Sequence, residues 1–93
     1  MRIGAATISL YAPWVRSLKE KRMVVQSLTT RVRGRFNVSV AEVDAQDLHQ
    51  TIVLGFVCAA ATTQLADSIV DKVLSFIEAN TEAQVTHIDR EVL

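Results

Sequence analysis

The densest run of charged and polar chemistry in the chain is Ser17-Leu18-Lys19-Glu20-Lys21-Arg22. A serine followed three positions later by a glutamate is the capping box that opens a helix. The hydroxyl accepts from the N–H of Glu20, and the carboxylate reaches back to the N–H of Ser17. Lys19, Lys21 and Arg22 then fall in the opening turns, where the helix macrodipole already presents positive charge. A cation in the first turn costs about 0.3–1 kcal/mol unless something negative sits beside it. Free N–H groups with neighbouring cations suit a phosphate or another anion. Ser17, Lys19, Lys21 and Arg22, with Arg31, Arg33 and Arg35 further along, are therefore the candidate residues for binding an anion or a nucleic acid.

Each has a plain structural use as well. Asp67, Asp71 and Glu78 fall in the second helical segment and could absorb these cations in inter-helix ion pairs, worth little individually. On a helical wheel Lys19, Arg22, Gln26 and Arg33 form one stripe, at about 40–100°, beside the apolar face. Lys21 plots at about 300°, inside the apolar sector. Its stem can snorkel along the core with the ammonium emerging at the sheet end, or the ammonium can be the deepest cation of an anion pocket. Tyr11 and Trp14 flank the loop before the helix. Aromatics among cations can stack unpaired bases, whereas a Trp beside the single Pro13 can equally close the end of the core.

Catalytic chemistry finds little support. His49 and His87 have no short-spaced ligand partner, and Cys58 lies in the most apolar segment, as an inert core thiol would. A Gly-rich phosphate loop and a G-x-S-x-G elbow are both missing. No catalytic residue, metal site or cofactor is expected. The lone cysteine excludes an internal disulfide and suits a reducing cytoplasm, the expected location. No run approaches the roughly 20 apolar residues of a membrane span, and the N-terminal segment reads as a strand rather than a signal peptide.

The elements that must position these residues follow from periodicity. An apolar fraction of 49% in 93 residues, with three Gly and one Pro, describes one small folded domain. Residues 2–11 form a strand by β-branched content. Ser17 caps an amphipathic helix whose apolar side holds Leu18, Val25, Leu28 and Val32, and Gly34 closes it. Residues 35–44 alternate Phe36, Val38 and Val40 with Asn37, Ser39 and Ala41, a half-buried strand. Residues 51–61 are apolar nearly throughout, as a central strand covered on both faces would be. Thr62 or Thr63 caps a second helix that stops at Asn80, and residues 83–93 make a last, more polar strand. The order βαββαβ with right-handed crossovers gives an α+β, ferredoxin-like sandwich. Its sheet has four antiparallel strands, with two helices on one face.

Zero net charge conceals a division. Residues 1–35 hold eight cations against Glu20 alone, whereas residues 36–93 hold Lys72 and Arg90 against nine carboxylates. Such asymmetry bears on partners and association, not on fold. The bare side of the third strand, with Gly55, Ala59 and Ala61 alternating, would let another layer approach closely. An isologous homodimer is the expected consequence.

The stretches "SLKEKR", "VVQSLTTRVRGRFNVSVAEVD", "LGFVCAA" and "DREVL" together resemble the YlxP-like family of small bacterial proteins of unknown function. The resemblance spans essentially the whole chain. It implies a ferredoxin-like domain and supplies no catalytic residues. Some members are encoded beside translation-initiation and ribosome-maturation genes, which implies RNA or the ribosome as a partner. Contacts to phosphate would dominate such binding, without DNA sequence readout. The other uses of the surface are a homodimer or protein-interaction module on the apolar sheet face, and a small-anion-binding regulatory domain.

Overall fold

The computed structural model describes residues 1–93, in which β1 (Arg2–Tyr11), α1 (Leu18–Arg35), β2 (Ser39–Asp44), β3 (Thr51–Ala60), α2 (Thr63–Ala79) and β4 (Gln84–Val92) follow in turn. The strands form one antiparallel sheet in the order β2-β3-β1-β4. The ferredoxin-like architecture expected from the sequence is the one observed, with β1 and β3 central.

Alternation along the central strands divides the sheet into two faces. Gly4, Ala6, Ile8 and Leu10 of β1 and Ile52, Leu54, Phe56 and Cys58 of β3 point at the helices and are buried. They meet Leu28 and Val32 from α1 and Val70, Val73, Leu74 and Ile77 from α2. Burying a side chain of this size is worth about 1.5–3 kcal/mol, so this layer carries the fold. Ala12 and Val15, both 0% exposed, seal its end below the β1–α1 loop. The opposite face, with Ala5, Thr7, Gly55 and Val57 near its middle, has no helix over it.

Two glycines let parts come close. A Cβ on Gly4 would lie 2.9 Å from both Cys58 Sγ and Val70 Cγ2 and 3.2 Å from the Ala66 carbonyl oxygen, so Gly4 admits α2 to the sheet. A Cβ on Gly55 would lie 2.9 Å from Val43 Cγ1, which drapes over it on the uncovered face. Val43 sits at a register shift in β2, between Glu42 and Asp44, and such a bulge blunts an edge strand.

Strands β3 and β4 each end one residue earlier than the sequence reading, at Ala60 and Val92, and three further boundaries differ. Helix α1 continues through Gly34 to Arg35, and Phe36 is its C-cap, donating its backbone N–H to the Val32 carbonyl. Gly34 is not at a left-handed position, since no glycine has positive φ. Strand β2 starts at Ser39 rather than residue 35. The apolar alternation of Phe36 and Val38 serves packing instead of strand pairing: the Phe36 ring meets Phe76 edge to face at 5.5 Å. The last strand begins one residue later than expected, at Gln84.

Candidate anion-binding surface

Helix α1 is capped as its sequence demands, with one shift. Ser17 is extended, with φ −153° and ψ 162°. Its Oγ accepts the Glu20 N–H at 3.1 Å. The Glu20 carboxylate, however, accepts from the backbone N–H of Arg16 at 3.1 Å, not from Ser17. The chain's own carboxylate thus stands at the positive end of the helix, where it is favourable to the dipole. Ser17, expected as an anion contact, serves the cap.

Lys21 departs furthest from expectation. Its side chain is 2% exposed, neither snorkelling to solvent nor lining an anion pocket. Its Nζ donates to the carbonyl oxygens of Ala45 at 2.7 Å and Leu48 at 2.6 Å, and lies 2.7 Å from Glu42 Oε2. The Glu42 contact falls outside hydrogen-bond angles, so it is an ion pair that compensates a buried carboxylate oxygen with no other partner. The ammonium thus makes two hydrogen bonds to backbone carbonyls and one ion pair. The clamp fixes the β2–β3 turn, where Ala45 adopts φ 55°, a left-handed conformation costing about 1–2 kcal/mol for a residue with a Cβ. Lys21 is therefore occupied inside the fold and is withdrawn from the anion set.

The remaining cations of α1 divide by side. Arg31 faces the end of α2, its Nη1 3.5 Å from the Asn80 carbonyl oxygen, a long contact that still places charge at a helix C-terminus. Arg35 borders a cleft of about 390 Å³ between the helices, beside Phe36, Asp71 and Phe76. Arg33 lies toward β2, in a cleft shared with Asn37, Ser39 and Val57. Lys19, Arg22 and Arg33, together with Arg16 before the helix, are exposed.

None of these cations makes a salt bridge. The chain's ion pairs are Lys21–Glu42, Arg90–Asp67 and Arg90–Asp71, and His87 and Asp89 share a hydrogen bond. Asp67 and Asp71, expected to pair across the helices, are held by Arg90 from β4. Its guanidinium donates to Asp67 Oδ1 at 2.7 Å and to Asp71 Oδ1 at 2.5 Å. The hydrogen bond to Asp71, ahead of that to Asp67, holds the Arg90 pKa above its ordinary value. Asp67 and Asp71 of α2 are thus matched by a strand residue, Glu78 makes no ion pair, and the basic face of α1 is left open.

The loops beside this surface are tied together by Gln50. Its Nε2 donates to the carbonyls of Pro13 at 3.0 Å and Val15 at 3.3 Å, and its backbone carbonyl accepts from the Ala12 N–H at 2.8 Å. Tyr11 and Trp14 are each 41% exposed. Val15 and Ala12, rather than Trp14, close the core, so both aromatic rings stand at the surface. Nothing in the sequence alone marked Gln50, Glu42 or Arg90. Their partners are backbone carbonyls or lie about 20 residues away, from 19 to 23, beyond any helical spacing. Cys58 is buried, and His87 contacts only Asp89 on an exposed strand edge, at 3.0 Å.

A small sandwich of this topology, with an open cationic helix, is a class of domain rather than a function. The chain belongs to the family described as "Protein of unknown function (DUF503)", whose model matches residues 3–90. It is 36% identical over 70 residues to the uncharacterized protein YlxP of Bacillus subtilis (strain 168), covering 75% of this chain and 76% of that protein. Among solved structures it resembles a de novo designed protein with a ferredoxin fold, determined by solution NMR. The TM-score is 0.58 at 17% identity, covering 99% of this chain and 84% of the designed one. That likeness concerns the fold alone. No helix is long and apolar enough to cross a membrane.

Proposed function

We propose that the chain is a non-enzymatic, cytoplasmic RNA-associating domain. Lys19, Arg22 and Arg33, with Arg16 beside them, hold phosphates of a structured RNA, ribosomal RNA being the expected class. The observation that supports this reading is that these four exposed cations have no carboxylate partner, while Asp67 and Asp71 of the neighbouring helix are bound by Arg90. Trp14 and Tyr11 stand exposed on the loop leading into the same helix and offer rings to an unpaired base. A small anion at the Ser17 end has less support, because the Glu20 carboxylate already occupies that position.

Binding by phosphate contact is steep in salt. With about four contacts, affinity falls about 50- to 150-fold between 50 and 200 mM salt. Lys19→Glu combined with Arg22→Glu removes two contacts, lowers affinity at every salt concentration and reduces the salt slope by about two. Binding of a ribosomal RNA fragment measured across a salt series checks both. Affinity independent of salt, or unaltered by the double variant, would refute the reading.

A further inference from the structure

We infer that two copies of this chain pack through their uncovered sheet faces, about a two-fold axis running along the strands, so that β4 of each copy lies over β2 of the other. The face is shaped for it. Small residues, Ala5 and Thr7 on β1, Ala41 on β2 and Gly55 on β3, floor an open trough of about 670 Å³. Val43 and Val57 stand above that floor, 49% and 45% exposed. An apolar hollow beside apolar ridges, with no helix to cover it, is the kind of patch that marks an interaction site.

Register and charge select the second copy as the occupant. Ser39 pairs with Val57, Val57 with Ala5, and Ala5 with Glu91, so these four form one row across the sheet. The row is acidic at its β4 end, where Glu91 has Asp89 two residues before it. At its β2 end Ser39 shares a cleft with the exposed Arg33. An axis across the strands would set β4 against β4 and oppose like carboxylates, which is destabilising. An axis along the strands reverses the row instead. Val57 of one copy then sits over Ala5 of the other, and Glu91 sits over Ser39 with Arg33 beside it. Large meets small and acid meets base, twice by symmetry, as an isologous contact requires.

The size suffices. Strands of 10, 6, 10 and 9 residues present a face of about 15–20 by 30 Å. Two such faces bury about 900–1,200 Å² in total, around the roughly 1,000 Å² that a biological interface must clear and in the range of weak, reversible association. The helices stay on the outer sides of the pair, so Lys19 and Arg22 remain free in both copies, whereas Arg33 turns to Glu91 in the dimer and is shared with the RNA reading; sedimentation of the chain alone, without RNA, tests the dimer by itself.

Sedimentation velocity of the full chain, from about 1 to 500 μM, should show a monomer–dimer equilibrium across the range where such interfaces act. Val57→Asp should abolish the dimer while circular dichroism stays native. Glu91→Arg, on the exposed edge, should weaken the dimer about tenfold or more, and adding Arg33→Glu should restore it. A chain that stays monomeric at the highest concentration, a dimer that survives Val57→Asp, or a charge-swapped pair no stronger than Glu91→Arg alone would each overturn the arrangement.

Discussion

Helices α1 and α2 lie side by side on one sheet yet are fastened to it in opposite ways. Helix α2 is seated by close apolar packing: Ala66 and Val70 approach β1 where Gly4 has no side chain, and its Asp67 and Asp71 are held by Arg90 of β4. Helix α1 has Lys21 and Thr29 on its buried side, and Lys21 binds the β2–β3 turn through charge. The neighbouring Arg22 points to solvent with no partner. Two cations adjacent in sequence thus have contrary fates, decided by 100° of helical rotation. The inward one is an internal part of the fold, and the outward ones are available to a polyanion.

The contrast is broken most severely at Lys21. Lys21→Met leaves the Glu42 carboxylate without its cation and two carbonyls without a donor, and should cost about 3–5 kcal/mol of stability. Urea denaturation measures it. Adding Glu42→Gln should recover part of the loss, because the pair is coupled. On the α2 side the corresponding test is steric. Gly4→Ala drives a Cβ against Cys58, Val70 and the Ala66 carbonyl, an overpacking that should cost about 1–3 kcal/mol in the same assay. The smallest change is expected at Arg90. Its two carboxylates are more than half exposed, so Arg90→Ala should lower stability by about 1 kcal/mol or less. A larger loss would mean that α2, too, is fastened by charge.

Much of this was legible in the amino-acid order. Period-two and period-3.6 patterns gave the six elements, Ser17 and Thr62 are the caps, and the apolar run from Thr51 to Ala60 is the central strand its composition demands. The start of β2 was not legible. Phe36 and Val38 alternate with polar neighbours whether they pair in a ladder or plug the end of the helical layer, and only tertiary packing separates the two. The wheel placed Lys21 on the buried side, but its acceptors are carbonyls of a turn 24 and 27 residues on, and backbone groups leave no mark in composition. The same limit hid the match of Asp67 and Asp71 to Arg90, which needs the β1–β4 register before it can be seen.

The central claim is that the outward cations of α1 are unmatched within the folded chain. Lys19→Glu with Arg22→Glu tests it most directly when urea stability and RNA affinity are measured on the same preparation. If the cations are unmatched, stability stays level or rises by up to about 1 kcal/mol, since a carboxylate in the first turn suits the dipole, while RNA affinity collapses. A clear loss of stability with RNA affinity unchanged would contradict the account.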